Sequence, residues 1–451
     1  MFEAAKFIAA VYSFFLIVRT VKHCENKYIA FVVIALWLRF FLAAYHSITY
    51  VPLVAGLSIT ALFSVLIASV GIFFIPKQIF LLKRLLPFYA FFAAIIISGL
   101  YNLEIKDLIN VSIKWIYFLC ICVAFFVSVR LSSINSSCKL AMKAFVLPIT
   151  LQVLSVLLGE RKVTDNEGTE FSYIGGYFHE SGFSMIIVGF IILLSMLPAR
   201  TYRFQSVMFL AGVICIYLTN YRTAILAVLP VIAIYFYGLM EQKVEKRYRL
   251  PIILLFITLG ISTMSALFSM QQERFGDILV FANNWQELIK APFYYTELEK
   301  DIFSARVFIW SEYLYGFSVS DVWQQWLGHG PESWNGVFDK YAHNTYVSYL
   351  YEYGYLGFGT FIILNVYLLI TAWKIKNRAL SQKLFYSYVG FLIMNFATMP
   401  LWALEGMIVY AILMSVTFAN PSLERNESSL SNKPVNPRLN QKLQSEVRTI
   451  K

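Results

Sequence analysis

Three residues of this sequence have the types and setting that group transfer from a diphosphate requires. They are Arg222 in 217-YLTNYRTAILAVLP-230, Arg306 in 301-DIFSARVFIWSEYLYGF-317, and His343 at the head of 343-HNTYVSYLYEYGYLG-357. A guanidinium is a permanent planar fork that meets phosphate oxygens through paired, charge-assisted hydrogen bonds. An imidazole accepts a proton near neutral pH. Two forks and one base could hold a diphosphate, stabilise its charge as it leaves, and deprotonate the hydroxyl that displaces it. Taken singly, each residue has a blander account. Arg222 could snorkel to a membrane surface, Arg306 could pair with Asp301 or Glu312, and His343 could sit at an interface while Asn344 caps the next helix.

What joins them is where the chain must put them. Of 451 residues, 59% are hydrophobic and only 14% charged, against roughly 25% charged in a soluble domain. Apolar runs long enough to cross a membrane as helices recur along the chain, as in 51-VPLVAGLSITALFSVLIASVGIFFI-75. The period-2 alternation of a membrane barrel is absent. The expected fold is all-α, a polytopic helical membrane protein of about 12–13 transmembrane helices with one large loop. Spans are expected near 2–21, 28–45, 51–75, 85–101, 111–129, 140–158, 181–197, 205–219, 223–240, 250–268, 345–373, 384–399 and 406–419. Thirteen spans put the amino terminus outside; loss of one among the first three would restore an even count.

The net charge of +11 follows the topology. Segments 19–27, 76–84, 130–143, 198–204, 241–249, 374–383 and the tail from 420 hold 25 of the 37 Lys and Arg but only 6 of the 26 Asp and Glu. They fall on one side of the membrane, which their charge makes cytoplasmic. The basic balance therefore does not imply a nucleic-acid partner. Arg222, Arg306 and His343 all fall on the opposite side, by counting that used none of them. Membrane helices with short loops are expected over 1–268, a loop over 269–344, further helices over 345–419, and a disordered tail over 420–451. Residues 269–342 carry 17 aromatic side chains, suited either to lying on the outer leaflet or to stacking on sugar rings. None of the five cysteines lies in an external loop, so neither a disulfide framework nor a metal box is indicated. No cofactor is expected.

Four pieces of the chain resemble the O-antigen ligase and O-antigen or exopolysaccharide polymerase family of bacterial inner membranes. They are 219-TNYRTAIL-226, 304-SARVFIW-310, 327-LGHGPESW-334, and 343-HNTYVSYLYEYGYLG-357 with its His343, Asn344, Glu352, Gly354 and Gly357. The resemblance implies a metal-independent, inverting glycosyltransferase that takes glycan from undecaprenyl diphosphate on the periplasmic face. Arg222 and Arg306 would then bind the diphosphate, and His343 would orient or deprotonate the acceptor hydroxyl. Asn344 and Glu352 would be substrate-binding candidates. The partners implied are the lipid-linked glycan, an acceptor glycan or lipid A core, membrane lipids and a chain-length regulator.

Other charges stand with two readings each. Glu180 in 176-GYFHESGFSM-185 opens a span, where a carboxylate suits the helix N-terminus. The stretch also resembles a polymerase pattern and makes Glu180 a binding candidate. Arg39 could be a third diphosphate contact or could snorkel, Lys114 is expected to snorkel, His179 to be a bystander, and His329 to be structural. The expected function is polymerisation of lipid-linked repeat units. A ligase would use the same chemistry on lipid A core, and a flippase or transporter would instead place charges around a mid-membrane cavity.

Overall fold

The computed structural model describes residues 1–24, 26–54, 56–163, 171–198, 201–255, 289–300 and 305–420, with Thr258, Ser262, Gln286 and Ile302 besides. The expected tail from 421, most of the span expected at 250–268, and loop residues 269–285 lie outside the described residues.

Long apolar runs become helices because only a helix satisfies every backbone polar group inside hydrocarbon. They are α1 (Phe2–Lys22), α2 (Lys27–Ala44), α3 (Ile59–Phe74), α4 (Leu86–Tyr101), α5 (Ile105–Leu131), α6 (Ile134–Leu157), α7 (Glu180–Met196), α8 (Gln205–Leu218) and α9 (Arg222–Lys243). A helical stretch at 246–255 precedes the large loop. The loop contributes α10 (Arg306–Ser318) and α11 (Val322–Leu327), and the chain returns through α12 (Thr345–Trp373), α13 (Arg378–Ala397) and α14 (Leu404–Phe418). Among the described residues, seven helices are long and apolar enough to cross a membrane, and four shorter apolar ones accompany them. The protein is an all-α polytopic membrane protein.

The span expected at 51–75 starts late. Pro52–Val54 pairs antiparallel with Leu57–Ser58, Gly56 takes φ +77°, and Ser58 caps the helix that begins at Ile59. The structure retains all three of the first helices. The start of α1 packs near Gly176 through Phe2 and Lys6, while Asn26 beyond its other end bonds to Ser132.

Two groups of loops separate at the two ends of the bundle. The Lys- and Arg-rich segments meet one another: Asn26 binds Ser132, Arg84 and Arg130 donate to the carbonyls of Phe418 and Ala419, Thr201 binds Asn135, and Lys383 donates to the Leu197 carbonyl. The other loops meet at the opposite end. There Asn102 bonds to the Gly328 carbonyl, Lys114 pairs with Glu332, and Trp402 donates to Glu332. Helix α9 lies close along α13, where a Cβ on Gly390 would collide with the Ala227 carbonyl.

Candidate active site

Arg222 is the first residue of α9, half-buried, and it follows a turn in which Asn220 adopts φ +51°. That turn is fixed from two sides. Tyr173 donates its N–H to the Leu218 carbonyl, and Ser184 of α7 bonds to Thr219 at 3.0 Å. Tyr221 reaches across to Thr398 between α13 and α14.

Arg306 likewise opens its helix, directly after Ala305 at φ +61°. Helix α10 is tied to the segment that delivers the histidine. The Trp310 indole donates to the Ala342 carbonyl at 2.9 Å, and the Tyr313 hydroxyl donates to the Lys340 carbonyl at 3.1 Å. Ile309, Tyr313, Phe317, Ala342, Tyr351 and Met399 form a small separate core beneath.

His343, like Asn220 and Ala305, is in a left-handed conformation, at φ +50°. A non-glycine residue held there costs on the order of 1–3 kcal/mol, and such strain gathers at functional sites. Asn344 accepts from the N–H groups of Tyr346 and Val347 and is buried, so it caps α12 and fixes the turn that presents His343. Thr345 donates to the Thr398 carbonyl, so the Arg222 turn and the His343 turn meet at one residue. Arg306 and His179 both act on the His343 ring electrostatically, and Tyr341 lies against it with ring centroids 3.9 Å apart. The structure thus brings the Arg222, Arg306 and His343 segments together.

Charge and dipole reinforce one another here. Helices α9, α10 and α12 carry no acidic residue in their first turns, and the first two begin with arginine. A helix N-terminus is already positive, and a cation placed there costs about 0.3–1 kcal/mol. A helix N-terminus is also where anions bind. The same field acts on His343. Burial first, then Arg306, His179 and Lys340, lower its pKa to about 4. It is therefore a neutral imidazole at neutral pH, and a bound anion would raise its basicity.

The remaining candidates have defined partners. Glu180 opens α7 and is buried, with Lys162 3.1 Å and the Ser172 hydroxyl 3.2 Å from its Oε1. His179 caps α7, its Nδ1 accepting from the Ser181 N–H. That acceptor role means the 3.5 Å approach of Nδ1 to Glu180 is not a donated hydrogen bond. Arg39 neither snorkels nor stands open: Nε and Nη2 reach Glu405 Oε1 at 2.9 and 2.8 Å, in a buried pair between α2 and α14. Lys114, expected to snorkel, pairs with Glu332 at 3.3 Å. His329 is structural, bonded to Ser320 and stacked on Tyr351.

Glu352 is buried just before a break in α12, where Gly354 adopts φ +63° and ψ −167°. Its Oε1 accepts from Ser348 and its Oε2 from the Glu332 N–H. The break frees the carbonyls of Tyr351 and Glu352, which accept from the N–H groups of His329 and Gly330. A Cβ on Gly328 would collide with the Glu352 carbonyl, so 327-LGHGPESW-334 lies backbone-to-backbone on α12.

Sequence reasoning passed over Tyr341, Thr398, Glu332 and Trp402. Tyr341 had a signal in its place two residues before His343. Glu332 had one as a carboxylate in an aromatic-rich loop.

The O-antigen ligase family model matches residues 206–362. No curated protein matches the chain. The matched stretch contains Arg222, Arg306, His343 and the break in α12 together, so the similarity to that family covers all three candidate residues.

Proposed function

We propose that the protein is a glycosyltransferase that takes a glycan from undecaprenyl diphosphate and passes it to a sugar hydroxyl on a second lipid-linked repeat unit, as a polymerase. His343 takes the acceptor hydroxyl proton as the oxygen attacks the anomeric carbon. The bond from that carbon to the diphosphate oxygen breaks, the configuration inverts, and the diphosphate leaves with the electron pair. Arg222 and Arg306 stabilise its charge. The site faces the periplasm of a bacterial inner membrane, opposite the Lys- and Arg-rich loops.

The observation that carries this reading is the pair of arginines at the first positions of α9 and α10, with Arg306 acting on a neutral His343 and the Arg222 turn tied to the His343 turn through Thr398. Donors fixed before the reaction lower the barrier without reorganising. The polymerase choice rests on the resemblance of 176-GYFHESGFSM-185, with Glu180, to a polymerase pattern and on the aromatic loop. Ligation to lipid A core is favoured by the description of the matching family.

A strain lacking the gene separates the two. A polymerase deletion collapses the lipopolysaccharide ladder to one short band above the core. A bare core with polymer held on the carrier would establish the ligase instead. Unchanged transfer in membranes of the deletion strain would remove both.

A further inference from the structure

Glu332 sits in the left-handed region at φ +59°, and both oxygens of its carboxylate are engaged. Oε1 accepts from the Trp402 indole at 2.7 Å and from Lys114 at 3.3 Å, and Oε2 accepts from the Trp334 indole at 3.2 Å. Indole N–H and ammonium groups are donors only, so all three contacts need acceptor oxygens. The Glu332 N–H is meanwhile anchored on Glu352.

Both indoles lead to one ring. Trp402 stacks on Tyr341 with centroids 5.3 Å apart and planes 23° apart, and Trp334 meets Tyr341 edge-on at 6.0 Å. Tyr341 in turn covers the His343 imidazole. The contacts thus run from Lys114 in α5, through Glu332 and the turn before α14, to the histidine. No hydrogen bond within the 340–344 segment itself fixes the rotation of the His343 ring among those described.

We propose that Glu332 is a positioning residue for His343, acting through Trp402, Trp334 and Tyr341 to hold the imidazole in its reactive orientation and shielded from water. The role rests on the reading of His343 as the base that takes the acceptor proton. The charged and titratable groups facing that ring are Arg306 from α10, His179 from the cap of α7, and Lys340 and Tyr341 from its own segment. Glu332 is not among them, so its effect on the ring passes through packing.

The test is Glu332→Gln, which keeps the size but turns an amide N–H₂ toward one of the donors. The expected result is a kcat lower by about 10- to 100-fold, the loss that a misplaced reacting group produces, with the KM for lipid diphosphate donor unchanged. The acid limb of the pH profile also moves upward, because the loosened Tyr341 lets water reach His343. The chain has five histidines, so the ring resonances of His343 can be followed by NMR against pH without any glycan. The His343 titration in Glu332→Gln should lie closer to an ordinary histidine than in the parent. Trp402→Phe keeps the ring and removes one N–H, and should shift both readouts in the same direction by less. Parental titration and kcat in Glu332→Gln would overturn the proposal, as would a raised KM at unchanged kcat. Should Glu332→Gln fail to fold, parental behaviour of Trp402→Phe overturns it. Transfer that survives His343→Ala would defeat the catalytic reading alone, leaving the titration result in place.

Discussion

Lowering the pH should leave this site working where an ordinary histidine would already be protonated. The buried His343 ring, facing Arg306, His179 and Lys340, has its pKa lowered from 6.5 to about 4. At pH 5 an unperturbed imidazole is only about 3% neutral, whereas one titrating at about 4 is about 90% neutral. The kcat/KM profile, which reports the free enzyme, should therefore stay near its plateau at pH 5 and fall with a midpoint near 4. If the donor is a diphosphate as proposed, the kcat profile should fall at higher pH, because the bound anion would add negative charge beside the ring. Stability carries the same signature. Between about pH 6.5 and 4 the unfolded chain binds a proton that the folded chain refuses. The contribution is therefore fully present above 6.5 and is lost as the pH falls to about 4, for a total of about 3 kcal/mol. Thermal unfolding across this window should show that loss in the parent and a smaller one in His343→Asn, which tolerates left-handed backbone and carries no titrating proton. A kcat/KM midpoint at 6.5 or above would refute the reasoning, as would identical pH slopes of stability in the two proteins.

His343→Ala should lower transfer by about 10²- to 10⁴-fold without loss of membrane insertion, measured by glycan transfer in isolated membranes. Arg222→Lys and Arg306→Lys should each lose about a hundredfold in kcat, since a point charge cannot make the paired contact of the fork. Full activity of both would show that charge alone suffices. Gly354→Ala should cost about 3 kcal/mol or more in thermal unfolding, because its backbone is glycine-only and the loop crosses against it. Gly359→Ala, in open space on the same helix, should be neutral or stabilising.

Much of the architecture was legible because it is written in local pattern. An apolar run must be helical in hydrocarbon, and lysine and arginine mark one side of the bundle, so the end where Arg222, Arg306 and His343 gather follows by counting. Pairings between distant residues have no such pattern. Arg39 and Glu405 lie 366 residues apart, and Lys114 and Glu332 lie 218 apart. Nothing near either lysine or arginine distinguishes a snorkelling cation from a paired one. The hairpin at 52–58 was hidden because its residues are as apolar as the helix they precede. The break at Gly354 was hidden because a glycine in a membrane span more often serves close helix packing. Only the loop lying across it shows that this one bends the chain.

The break in α12 also sets a height. The helix has 29 residues, or about 44 Å at 1.5 Å per residue, whereas a hydrocarbon core is about 30 Å thick. Residues 354–373 span about 30 Å along the axis, so the surplus turns at 345–353 begin where the hydrocarbon would end. The turns 345–353 lie beyond the break at Gly354, and His343 precedes them. On the proposed mechanism, the segment 345–353 would work as a spacer between a membrane anchor and the histidine. Adding or removing one turn there would raise or lower the histidine by about 5 Å. If the proposed mechanism holds, such a variant would insert normally and lose transfer.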